Sequence, residues 1–128
     1  MRIYLTHSKR FDYKKELYEP IKQSYLNDIH DFVLPHESSD KFFDSQQYIR
    51  DKCDLVIAEV SYDSIGLGIE ICQADVYQVP VTCIYKEGKS VANSLTKIGD
   101  MFEQYSNDLE LISGIDKIID LIEQTINH

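Results

Sequence analysis

The sequence predicts an α/β fold built on a five-stranded, doubly wound parallel sheet with helices on both faces. Two observations carry that expectation. Short β-branched or apolar runs alternate with segments whose apolar residues recur at helical spacing. The run DLVIAEV at 54–60 is mostly apolar, as suits a strand buried on both faces of a parallel sheet. The 128 residues fit one domain, 1–128, with no internal repeat or linker.

Taken in order, residues 2–6 (RIYLT) read as the first strand. Phe11, Leu17, Ile21 and Tyr25 follow at near-helical spacing. Pro20 should kink or split that helix, since it lacks a backbone donor and crowds the preceding turn. Residues 31–34 (DFVL) read as the second strand, closed by Pro35. Residues 38–53 read as a helix capped by Ser39 or Asp40, with Phe42, Gln46, Ile49 and Cys53 on one face.

The third strand at 54–60 leads into a small-residue turn, SYDSIGLG, which opens a helix of about 12 residues. Ile65, Ile69, Cys72, Val76 and Val79 are expected as its core stripe. Pro80 ends it and VTCIY begins the fourth strand. Residues 86–100 read as a loop with a short helix, and 101–105 as the fifth strand. The last helix is expected to start at Ser113, with Asp116 in the capping-box position and Ile115, Ile119, Ile122 and Ile126 buried.

Five strands with helical crossovers take the flavodoxin-like order 2-1-3-4-5 by default. Ligands of such sheets bind past the C-terminal strand ends, near the switch between strands 1 and 3. His7–Arg10 and the turn after strand 3 should therefore lie side by side.

Net charge is −9 and the pI about 4.7, which argues against a polymeric nucleic-acid partner. A small anion stays compatible, because a helix N-terminus can hold a phosphate through backbone N–H groups. No apolar run reaches the length of a membrane span. The opening MRIYLTHSKR reads as a strand followed by basic residues, not a signal peptide. Cys53, Cys72 and Cys83 form no C-x-x-C pair and read as reduced core residues of a cytoplasmic protein. His7, His30, His36 and His128 show no metal-ligand spacing, and no metal or other cofactor is expected.

The chemistry-bearing stretch runs from Ser64 to Glu70, SIGLGIE. Gly66 and Gly68 at a strand-to-helix turn would let a ligand approach the backbone. Glu70 is read in the first helical turn, where the macrodipole favours a negative charge by roughly 0.3–1 kcal/mol. A carboxylate at that end of the sheet could attack an anomeric carbon. The spacing fits equally a tight turn followed by an ordinary helix-start carboxylate.

The stretch CDLVIAEVSYDSIGLGIEICQADVYQVPVTCIY resembles the nucleoside 2-deoxyribosyltransferase family, and within it the 2′-deoxynucleoside 5′-phosphate N-hydrolases. The likeness rests on Ala58-Glu59-Val60, the Ser-x-Gly-x-Gly-x-Glu pattern from Ser64 to Glu70, and Ala74 one turn later. Specific motifs cover residues 2–10 and 53–95. The resemblance implies that Glu70 is the nucleophile attacking C1′, and that Tyr4 orients the sugar and this glutamate. It implies that Ser8, Arg10 and Ser64 serve the ligand phosphate. Ser94 is similar to a serine supplied to the neighbouring subunit's site, which implies a homodimer. By position alone, His36 at the C-terminal end of the second strand reads either as a turn histidine with no ligand or as the residue that meets a nucleobase.

One departure matters. The family carries an Asp on the second helix, eight residues before the position of Asp54, and here that residue is Gln46. Glutamine can hydrogen-bond but cannot serve general acid–base catalysis, which is typically worth roughly 10²–10⁴-fold. Asp44 lies on the opposite face of a regular helix and could serve only if the helix starts later. Asp63 is the second candidate.

The leading expectation is hydrolysis of the N-glycosidic bond of a 2′-deoxynucleoside 5′-monophosphate, through a glycosyl–enzyme intermediate. The close alternative is transfer of deoxyribose between bases. A non-catalytic nucleotide-sensing module is the second class, supported by Gln46. A glycohydrolase acting on another ribosylated ligand rests on fold analogy alone.

Overall fold

The structure is a computed structural model that describes residues 1–37, 44–92, 95 and 101–126. Its centre is a sheet of five parallel strands in the order β2-β1-β3-β4-β5, as expected. The strands are β1 (Arg2–His7), β2 (Asp31–Val33), β3 (Leu55–Glu59), β4 (Val81–Lys86) and β5 (Met101–Tyr105). β3 lies in the middle and all five of its residues are buried.

Alternation along the strands sorts the core into two layers. Ile3 and Leu5 of β1 and Leu55 and Ile57 of β3 face one side. There they meet Leu17 and Tyr18 of a π-helical turn (Lys14–Tyr18), Ile21 of α1 (Glu19–Lys22), Leu26 of α2 (Leu26–Ile29) and Leu111, Ile115, Ile118 and Ile119 of α5 (Asp108–Ile126). Tyr4, Val56 and Ala58 face the other side, against Ile49 of α3 (Ser45–Asp51) and Leu67, Ile71 and Ala74 of α4 (Ile65–Val76). The chain thus leaves β1 on one face and β3 on the other, which is what opens a crevice between their C-terminal ends.

Several local expectations are corrected. Ser39, Asp40 and Phe42 lie outside the described residues, and α3 is capped by Asp44, whose carboxylate accepts the Gln47 N–H at 3.0 Å. α5 starts at Asp108, well before Ser113. The Asn107 side chain accepts the Glu110 N–H at 2.8 Å, and the Glu110 carboxylate reaches back to the Ser106 N–H at 3.0 Å. That Asn-x-x-Glu spacing is itself a capping signal. Ile126, expected in the core, is exposed.

The largest correction is on α4. The stripe Ile65, Ile69, Cys72 and Val76 faces outward, with Ile65 84% and Val76 69% exposed. Leu67, Ile71 and Ala74 are buried instead. Both sets obey helical periodicity, so spacing alone could not choose between them. Pro20 does not split the helix: residues 18 and 19 before it stay helical, and the chain passes from the π-helical turn into α1 without a break, the wider turn lying where the proline removes a backbone donor. The cysteines are free; Cys83 is buried, Cys53 partly buried and Cys72 exposed.

Candidate active site

Glu70 is the sixth residue of α4, in its second turn and not its first. The macrodipole effect fades within the first turn, so it does not hold this carboxylate. Two hydroxyls from β1 do. The Tyr4 hydroxyl donates to Oε2 of Glu70 at 2.5 Å, and the Thr6 hydroxyl donates to Oε1 at 2.7 Å. Tyr4 and Thr6 are two apart on one strand, so they share a face. α4 runs back over β1 and β3, and at 1.5 Å per residue Glu70 lies about 7.5 Å along the helix from Ile65, which brings it above them.

Burial, and then the charge of Glu70, push the Tyr4 hydroxyl well above its ordinary value. Tyr4 therefore remains a donor. The Ser45 side chain, from the first residue of α3, acts on Tyr4 in the opposite direction. Sequence reasoning missed Thr6 and Ser45. The signal for Thr6 was available: a hydroxyl one pleat beyond Tyr4 on the same face.

The expected ligand-loop residues flank this pair. Ser8 is buried, and its Oγ accepts the Arg10 backbone N–H at 3.1 Å. Ser64 caps α4, its Oγ accepting the Leu67 N–H at 3.1 Å. Each hydroxyl acts there as an acceptor and keeps its own hydrogen for another partner. Gly66 and Gly68 lie inside the first turns of the helix, and a Cβ at either would meet no atom within 4 Å. Packing in the described residues does not demand glycine there, although each costs the helix roughly 0.5–1 kcal/mol relative to alanine.

His36 sits half-buried after β2, and its backbone N–H donates to the Tyr18 hydroxyl at 3.1 Å. Burial, then the charge of Lys9, lower its pKa, while the charge of Glu70 acts in the opposite direction. Lys14 adds to the lowering. The positive charges of Lys9 and Lys14 thus act on this histidine in a chain of net charge −9.

The carboxylate candidates are placed differently. Gln46 is exposed, and its Nε2 donates to the Tyr77 hydroxyl at 3.1 Å. Asp44 occupies the cap of the late-starting α3, where its carboxylate accepts the Gln47 N–H. Asp63 is exposed in the turn before Ser64. Ser94 lies outside the described residues.

Glu59 ends β3. It is fully buried and accepts the Ser61 N–H at 2.6 Å, the Ser61 hydroxyl at 3.1 Å and the Tyr105 hydroxyl. Ser61 in turn accepts the Lys86 N–H at 2.7 Å, so this network anchors the start of the turn that carries Ser64. A cavity of about 310 Å³ lies farther along the strand ends, between Glu16, Lys86, Tyr105 and Asp108, and holds none of the expected site residues. Among the described residues, no three of His, Cys, Asp and Glu gather as a metal site requires, and no helix is long and apolar enough to cross a membrane.

Comparison with known proteins places these features. No protein-family model matches the chain. A Methanosarcina barkeri protein provisionally named 2′-deoxynucleoside 5′-phosphate N-hydrolase 1 is 49% identical over 41 residues, 32% of this chain and 26% of that protein. A Methanosarcina mazei protein of the same provisional name is 36% identical over 62 residues, 44% of this chain and 38% of that one. The matched segments thus span less than half of either relative. Among solved structures, a CMP N-glycosidase from Clostridium botulinum superposes with a TM-score of 0.63 at 20% identity, over 91% of this chain and 99% of that one. A signal receiver domain from Vibrio parahaemolyticus superposes nearly as well, with a TM-score of 0.62 at 17% identity over 97% and 93%. A glycosidase and a receiver domain fit alike, so the fold by itself assigns no chemistry. It is the local sequence match, joined to that fold, by which the chain resembles the nucleoside 2-deoxyribosyltransferase family on the side of its 2′-deoxynucleoside 5′-phosphate N-hydrolases.

Proposed function

We propose that this chain hydrolyses the N-glycosidic bond of a 2′-deoxynucleoside 5′-monophosphate, with Glu70 as the nucleophile. The observation that carries the reading is the pair of β1 hydroxyls on Glu70, at 2.5 and 2.7 Å. They hold the carboxylate in one orientation at the crevice of the sheet. Each oxygen accepts one hydrogen bond and keeps a further lone pair for C1′. Attack at C1′ forms a bond from Glu70 to the sugar, and the C1′–N bond breaks, its electrons leaving with the base. Water then cleaves the glycosyl ester in the manner of retaining glycosidases.

Ser8, Arg10 and Ser64 take the 5′-phosphate, with Gly66 and Gly68 leaving room for it over the start of α4. Support for an anionic ligand comes from the charges of Lys9 and Lys14 beside His36. His36 meets the base. Asp44, the cap of α3 one residue before Ser45, is the candidate for protonating the departing base. The homodimer expected through Ser94 belongs to the same reading and is checked by sedimentation velocity.

The test is base release from a panel of dCMP, dGMP, CMP and deoxycytidine. Hydrolysis of a deoxynucleotide that Glu70→Ala abolishes supports the proposal; an unchanged rate in that variant rejects the nucleophile. Release that needs a second base as acceptor would favour the transferase. One observation favours a second reading, a binding module without turnover: Gln46 is spent on Tyr77 and stands in the place of the family's Asp. Saturable binding of the monophosphates with no base released would establish that module instead.

A further inference from the structure

His7 and Tyr18 carry a buried polar chain that the proposed chemistry does not use. His7 is 5% exposed and Tyr18 2%. Buried polar groups need partners, and here each has one. Nδ1 of His7 lies 2.9 Å from the Ser8 carbonyl oxygen, which can only accept, so Nδ1 carries the hydrogen. In the neutral ring Nε2 is then an acceptor, and the Tyr18 hydroxyl, 2.5 Å away, donates to it. The Tyr18 oxygen accepts the His36 backbone N–H. Donors therefore point one way along the whole chain: His36 to Tyr18, Tyr18 to His7, His7 to Ser8. Bonds aligned in this way polarise one another.

Ring packing reinforces the same links. The His7 ring centroid lies 4.6 Å from that of Tyr13, 5.2 Å from Tyr18, 5.4 Å from His36 and 6.2 Å from Phe11. One imidazole thus joins the loop after β1, the π-helical turn and the loop after β2. Burial keeps the ring neutral, lowering its pKa to about 4.

We propose that His7 and Tyr18 are a positioning pair that locks the Ser8–Arg10 loop to the His36 loop and so sets the length of the substrate slot. The inference rests on the reading above, in which Ser8 and Arg10 take the phosphate and His36 the base. Neither member of the pair touches the substrate. Their effect is to hold both ends of the slot at one separation, so that a nucleotide does not have to order two loops when it binds.

Two measurements on the full chain test this. The first is the nitrogen-15 NMR spectrum of the His7 ring at neutral pH, where Nδ1 protonated and Nε2 unprotonated is expected. The opposite tautomer would overturn the proposal, whatever the activity. The second is kinetic. Tyr18→Phe keeps the ring and removes the hydroxyl, and should raise KM for the monophosphate about tenfold, the worth of one hydrogen bond, with kcat within about threefold. His7→Gln offers an acceptor near the Nε2 position and should stay within about threefold of the parent KM, whereas His7→Leu should match Tyr18→Phe. An unchanged KM in Tyr18→Phe, or a loss confined to kcat, sinks the pair. If Tyr18→Phe does not fold, the tautomer still decides. A parent protein that releases no base defeats the glycosidase reading and leaves the tautomer to be read by itself. An active parent with an indifferent Tyr18→Phe defeats only the pair.

Discussion

The Tyr4 hydroxyl donates to Glu70 at 2.5 Å, between residues 66 positions apart in the chain. Thr6, one pleat along the same strand, takes the other carboxylate oxygen. The carboxylate is thus oriented from the sheet, not by the helix that bears it.

Removing either hydroxyl should slow base release without unfolding the protein. A hydrogen bond to a charged group is worth about 1.5–3 kcal/mol, so Tyr4→Phe should lower kcat/KM by about 10–100-fold. Thr6→Val should cost about tenfold by the same conversion. Because both donors act on one carboxylate, the double variant should depart from additivity. Steady-state rates on the parent and the three variants of the cycle check this, and strict additivity would separate the two donors.

Stability should depend on pH through His7. Its folded pKa is lowered to about 4 from the ordinary 6.5, with burial as the first cause. Between those values the unfolded chain binds more protons, so stability rises with pH across the window. The contribution is complete above about pH 6.5 and is lost as pH falls toward 4, a change of about 3 kcal/mol at most. Urea midpoints from pH 4 to 7 should show this slope, and His7→Gln should flatten much of it. His36, also lowered, leaves a residual slope of the same sign.

Ser64 separates capping from recognition. Ser64→Ala should destabilise the fold by about 1 kcal/mol through loss of the bond from Leu67. Ser64→Asp keeps a cap, so stability should stay within about 0.5 kcal/mol of the parent. Its negative charge should nevertheless depress turnover of the monophosphate relative to the unphosphorylated nucleoside. Equal activity of Ser64→Asp on both substrates would remove Ser64 from the phosphate site.

The two apolar stripes of α4 should respond oppositely to truncation. Ile71→Ala opens a hole in the core and should cost about 2–5 kcal/mol. Ile65→Ala acts on an exposed surface and should change stability by less than about 0.5 kcal/mol. Chemical denaturation at two protein concentrations checks both. A concentration-dependent loss at Ile65 would place a partner on that face.

The order of elements, the central position of β3 and the parallel sheet were legible from the sequence, because burial on two faces leaves a continuous apolar run and crossovers leave a helical period. Glu70, Ser64 and the two glycines stood out as one short turn motif, whereas Tyr4 came only from the family resemblance. What spacing could not decide was which of two apolar stripes on α4 meets the sheet, since both satisfy one period and only packing against Val56 and Ala58 selects Leu67, Ile71 and Ala74.

Nor could it show that Thr6 joins Tyr4 on Glu70. That depends on β1 pairing with β3, a contact between segments some fifty residues apart, with Thr6 registered against Ala58. Asp44 shows the same division. It lies before α3 as its cap, and its own carboxylate, accepting the Gln47 N–H, marks where the helix starts. Local periodicity is written into neighbouring residues. Which side chains meet across the sheet depends on register and on how each helix is rotated against it, and packing sets both only once the chain has folded.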